Sequence, residues 1–156
     1  MKKWLLVVAA LGLAACSDKE VADVSLGLFT TKDIKIQTFN DPKIPGVTCH
    51  ISHVEANLDF ADPSDMSIAC RQTGEITPAM LQAIDLSKNG EVIFSTSKSI
   101  LFKHLKIRRI LDSSSQTLLY LSYSTKESTG SYKHSLTSVP LWGTAAWQDK
   151  TPAKTP

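Results

Sequence analysis

The chain has no apolar run long enough to cross a bilayer as a helix, which takes about 20 residues. Its longest, WLLVVAALGLA at residues 4–14, stops well short of that. Cysteine is scarce, three in 156 residues, and no two form a CxxC pair, so a dithiol redox centre lacks its usual spacing. There is no GxSxG elbow of the hydrolase kind. No internal repeat is visible, and there is no excess of charge to exploit. The 17 Lys and Arg fall to 15 once Lys2 and Lys3 leave with a leader, against 15 Asp and Glu. A neutral chain gives no reason to expect nucleic acid or electrostatic attachment to anionic lipid.

What is present begins at the first residue. Lys2 and Lys3, a short apolar stretch and small residues at its end have the form of a secretory signal. Leu13-Ala14-Ala15-Cys16 looks like a bacterial lipobox. There the cysteine thiol receives diacylglycerol and cleavage follows just before it. The expectation is a signal peptide at 1–15, lipidation of Cys16, and a mature chain held by membrane lipid. Ser17 rather than Asp follows the cysteine, which resembles the outer-membrane sorting pattern.

Export means an oxidising compartment, and with Cys16 acylated, Cys49 and Cys70 remain as a pair. Both sit in strand-like runs, GVTCHISHV and SIACRQ, and neighbouring antiparallel strands bring Cβ atoms within disulfide range. A structural disulfide is favoured over a metal or redox pair.

Residues 16–28 read as a tether leading to the first edge of the fold. DIKIQTF is a half-buried strand with Ile34 and Ile36 on one face. GVTCHISHV places Val47, Cys49, Ile51 and His53 on one side and the residues between them on the other. PAMLQAIDLSKNG is the one helix, with Thr77 as cap, Pro78 in the first turn and Asn89-Gly90 at its end. EVIFSTS is again a strand, and residues 99–124 form a hairpin about SSSQ. The expected fold is a single α+β domain dominated by antiparallel sheet, spanning 29–147, with a disordered tail at 148–156.

Candidate sites are few. His50 and His53 are three apart and so point to opposite faces of a strand, which makes a shared metal ion unfavourable. Asp59, Asp62 and Asp65 lack an EF-hand pattern, so no metal is assigned. Lys103, Lys106, Arg108 and Arg109 make a basic cluster that an anion or a partner's carboxylates could contact. The plainer reading is a solvated edge strand protected by its lysines. No catalytic residue and no cofactor is expected. A site assembled from His50, His134, Lys103 and Asp41 is the alternative.

FNDPKIPGVTCHIS, DMSIACRQTGEI, GEVIFSTSKSILFKHLKIRRILD and TLLYLSYSTKESTGSYKHSLTSVPLW resemble the CreA family, the catabolite regulation protein A group of bacterial proteins. The likeness covers roughly residues 24–142 and is most specific at Phe39, Asp41, Pro42, Cys49, Cys70, Phe102, Lys103 and Leu105. It implies export to the periplasm and no established catalytic residues; the family name reflects a gene neighbourhood concerned with carbon-source regulation. Cys49 and Cys70 match the family's two cysteines. The lipobox and the short EANLDFADPSDM segment between the cysteines depart from the usual pattern. The expectation is therefore a lipid-anchored, periplasm-facing envelope protein that binds an envelope partner. An envelope enzyme or an accessory to carbon-source signalling is the alternative.

Overall fold

The computed structural model describes residues 19–28, 32–56, 66–97, 104–125 and 133–149. Within them lie β1 (Lys19–Ser25), β2 (Lys32–Asn40), β3 (Val47–Ala56), β4 (Met66–Gln72), α1 (Pro78–Gln82), β5 (Glu91–Ser97), β6 (His104–Asp112), β7 (Thr117–Thr125) and β8 (His134–Pro140). The strands form two antiparallel four-stranded sheets in sequence order, β1-β2-β3-β4 and β5-β6-β7-β8. Edge strand β4 of the first sheet packs against β8 and β7 of the second.

Alternation decides which side of each strand is core. Val47, Cys49, Ile51 and His53 of β3 are buried, while Thr48, His50, Ser52 and Val54 are half-buried on the opposite face. β7 does the same, with Leu118, Tyr120, Ser122 and Ser124 buried. Register carries the pattern across strands: Phe39, Cys49 and Cys70 lie opposite one another in a row, and Phe39 meets Phe94 of β5 edge-on at 5.2 Å. Fully burying each such aliphatic or aromatic side chain stabilises by about 1.5–3 kcal/mol. Cys49 and Cys70 are joined by a disulfide with 4.0 Å between their Cα atoms.

Two glycines permit close backbone approach. At Gly46 a Cβ would stand 2.2 Å from the Glu75 carbonyl oxygen, where the chain after β4 folds back onto the β2–β3 loop. At Gly90, with φ +60°, a Cβ would stand 2.1 Å from the Arg109 oxygen.

Several expectations are corrected. The domain is closer to all-β than to α+β, because the helix ends after five residues. Thr77 caps it as expected, accepting from the Met80 N–H at 3.4 Å, with Pro78 in the first turn. Beyond Ala83 the side chains take over the backbone donors. Asp85 accepts from the Ser87 N–H at 2.8 Å and Ser87 Oγ from the Gly90 N–H at 3.2 Å, so turns replace the helix. Within the stretch read as a tether, Lys19–Ser25 forms β1, paired to β2 with a bulge between Glu20 and Ala22. The basic strand β6 is no edge; it is paired on both sides. Ile34 and Ile36 do share a face, but it is the outward one, opposite Val54 and Ser52. At the other end, Gln148 is held by Gln116, which accepts from its N–H at 2.8 Å and donates to its carbonyl at 2.7 Å. The expected signal, Cys16, Lys103, Asp59, Asp62, Asp65 and the tail beyond Asp149 lie outside the described residues.

Candidate functional site

The β2–β3 loop, NDPKIPG, is organised by one side chain. Asp41 Oδ1 accepts from the backbone N–H groups of Lys43 at 2.9 Å and Ile44 at 3.0 Å, folding the loop around its own carboxylate. The Asp41 N–H donates to Val47 O at 3.2 Å, which closes the loop onto the first residue of β3. The carboxylate is thereby pushed, 1% exposed, toward the second sheet.

The second sheet meets it with one inward row. Glu91, Arg109, Tyr120 and Thr137 stand opposite one another across β5, β6, β7 and β8. Arg109, also 1% exposed, pairs with Asp41 Oδ1 through Nη1 and with Glu91 Oε2 through Nη2 at 2.7 Å. The Tyr120 hydroxyl donates to Asp41 Oδ2 at 2.8 Å. Lys43 closes the far side on Glu91 Oε1 at 2.7 Å. Thr137 Oγ1 accepts from the Cys70 N–H at 3.2 Å. A row of one sheet is thus bonded to the loop and edge of the other.

The electrostatics follow from this enclosure. Burial, then the Asp41 charge and its hydrogen bond, drive the Tyr120 phenol far above its ordinary range. The hydrogen bond from Lys43 holds Glu91 below its ordinary value, aided by Arg109. Asp41 is occupied by two N–H groups, a guanidinium and a phenol, so its acceptor positions are spent within the fold. A phenol so raised serves neither as acid nor as base near neutrality. Chemically the centre is an inter-sheet clamp.

One cleft of about 240 Å³ opens elsewhere, between α1, the β6–β7 turn and the segment after β8. Leu81, Leu86, Leu111 and Leu141 line it together with Gln116 and Gln148. Trp142, 70% exposed, lies one residue past Leu141 and meets Trp147 edge-on at 5.2 Å. None of His50, His134, Asp41, Lys106, Arg108 or Arg109 lines this cleft.

Residues 20–144 match the family model described as CreA protein. The chain belongs to the CreA family. It is 36% identical over 118 residues to Protein CreA of Escherichia coli K12, an alignment spanning 69% of this chain and 72% of the relative. Protein CreA of Escherichia coli O6:H1 and that of Escherichia coli O157:H7 give the same values. No solved structure matches. The CreA match begins inside β1, so this strand belongs with the domain. The segments that carry the CreA likeness supply the clamp: Phe39 packs on Phe94, Asp41 centres the network, and Cys49 and Cys70 form the disulfide.

The basic cluster is dispersed. Arg109 faces inward into the clamp. Arg108 faces outward and donates to the Asn89 and Gly90 carbonyls at 2.6 and 3.3 Å and to the Tyr123 hydroxyl at 3.5 Å. Lys106 is half-buried on the same outward side. The histidines are not gathered either. His53 is buried on the inward face of β3, His50 lies outward on the same strand, and His134 opens β8 in the other sheet. Sequence reading missed the Asp41–Arg109–Tyr120 centre. Its one local signal is parity: Arg109 shares a strand face with Leu105 and Ile107, so a core position holds a cation and requires an anion. Among the described residues, no helix is long and apolar enough to cross a membrane, and no group of three or more His, Cys, Asp or Glu could hold a metal ion.

Proposed function

We propose that this CreA-family protein is an exported, lipid-anchored protein of the bacterial envelope that acts by binding a partner rather than by catalysis. The observation that carries this reading is the Cys49–Cys70 disulfide standing behind the LAAC leader. A disulfide persists where thiols are not kept reduced. The leader supplies the route there, and Cys16 directly behind it supplies a thiol for acylation. Binding is supported by the distribution of polar groups. The acids, bases and phenol of the buried centre are bonded to one another, whereas the cleft beside α1 is lined by leucines and uncharged polar side chains. The alternative, a site built from His50, His134, Lys103 and Asp41, gains no support, since Asp41 is enclosed and the two histidines lie on different sheets.

The test is fractionation of cells making the wild-type chain or Cys16→Ala, after crosslinking in place. Wild type is expected with the outer membrane and with one stoichiometric envelope protein attached. Cys16→Ala is expected in the soluble periplasmic fraction. A Cys16→Ala chain that still pellets with membrane contradicts the anchor. Absence of a crosslinked protein in both samples contradicts the binding role.

A further inference from the structure

The free end of the first sheet reverses the usual placement of polar and apolar residues. Facing the interior are Asp23, Lys35 and His53 in one row, with Lys35 bridged to both Asp23 and Glu20. Facing away from the core, Val24, Ile34 and Val54 form an aliphatic row across three strands. Ala22 and Ile36 extend it toward Ser52. Val24 is 48% exposed, and beside it the β1–β2 turn carries Leu26 and Leu28, 47% and 99% exposed. Ile34, Ile36 and Val54 are half-buried and Lys32 stands on the same face at the turn end, so the part for which water is a poor covering is Val24 with the two exposed leucines.

The chain itself indicates what lies near. Lys19, where β1 begins, is three residues after Cys16. Three fully extended residues reach about 10–11 Å. With acyl chains on Cys16, the Lys19 end of β1 is held within that distance of the lipid surface, and a β1 lying along that surface brings Val24 and the turn onto it at high effective concentration. A neutral mature chain requires no anionic headgroup for this contact; apolar area and the tether suffice.

We infer that the outward face of the β1–β3 end, centred on Val24, Ile34 and Val54 with Leu26 and Leu28 at its tip, rests on the lipid bilayer that holds Cys16. The inference builds on the lipid-anchor reading above and assigns the surface that touches the membrane. It also gives the domain an orientation: β1 lies on the bilayer, and the strands after β3 follow it away from the lipid.

The test places a photo-crosslinking amino acid at position 24, 26 or 138 of the full lipidated chain in neutral phosphatidylcholine–phosphatidylethanolamine vesicles. Ser138 is exposed on β8 of the other sheet and sets the background. Lipid adducts are expected at positions 24 and 26 and not at 138. Position 26 lies in a turn, so it reports even if a substituent at 24 disturbs β1. Protein that sediments with vesicles but shows no adduct above the background overturns the surface and leaves the anchor standing. A crosslinked pair of chains through position 24 overturns it in favour of a second copy. Failure to sediment overturns both the anchor and the surface.

Discussion

Each sheet carries an inward polar row, and the two rows are satisfied differently. In the second sheet, Arg109 and Tyr120 reach across to Asp41 of the first sheet and are lost to solvent. In the first sheet, Lys35 bonds Asp23 and Glu20 on its neighbouring strand, whose side chains remain 44% and 53% exposed. The first arrangement couples two layers; the second stays within one. The core thus ends before the β1–β2 hairpin. Beyond that limit no second layer among the described residues determines which side of a strand is apolar, and the aliphatic side faces outward. The outward face of the second sheet differs again: Arg108 and Lys106 interrupt its aliphatic residues, while no charge breaks the Val24–Ile34–Val54 row.

The comparison can be broken most severely at the clamp. Asp41→Ala leaves the Arg109 guanidinium buried beside Glu91 alone, and a loss of about 3–5 kcal/mol is expected in urea unfolding. A loss below 1 kcal/mol would show that the sheets are not held there. Next comes the disulfide. Removing it as Cys49→Ser with Cys70→Ser frees a loop of 21 residues and is expected to cost roughly 3 kcal/mol by the same measurement.

A smaller effect belongs to pH. Glu91 is held below its ordinary value of 4.5 when folded, so its contribution is complete above that pH. Stability is expected to fall as pH drops through the lowered folded value. Glu91→Gln should flatten that part of the curve in thermal unfolding at stepped pH. Lys35→Met, which removes the within-sheet bridge, sets the lower bound: an exposed pair of this kind is worth about 0–1 kcal/mol. A loss matching that of Asp41→Ala would erase the distinction between the rows.

Much of this fold is legible from alternation. The inward set of β3, the Cys49–Cys70 pairing and the Thr77–Pro78 helix start follow from rules acting over a few residues. The hairpin about SSSQ does as well, observed as β6 and β7 where it is described. What escaped depends on partners far along the chain. Parity puts Arg109 with Leu105 and Ile107, but its carboxylate lies 68 residues earlier, in a loop whose shape Asp41 itself creates. Alternation likewise groups Ile34 with Ile36 without saying which face another layer will cover. The helix was overestimated because Asp85 and Ser87 take N–H groups that a longer helix would have used. Of the candidate site, the pairing of Cys49 with Cys70 was legible. Alternation also sets the adjacent Arg108 and Arg109 on opposite faces, but the groups that each meets were not legible.

We infer that the second sheet and its clamp hold the fold together, whereas the β1–β2 end meets the membrane. Amide hydrogen exchange on the lipidated chain, with and without neutral vesicles, tests it most directly. Vesicles are expected to slow exchange in residues 20–28, including the turn amides of Leu26 and Gly27 with their long 3.4 Å bonds, and to leave β7 unchanged. Equal exchange with and without vesicles across residues 20–28, or slowing confined to the second sheet, would contradict it.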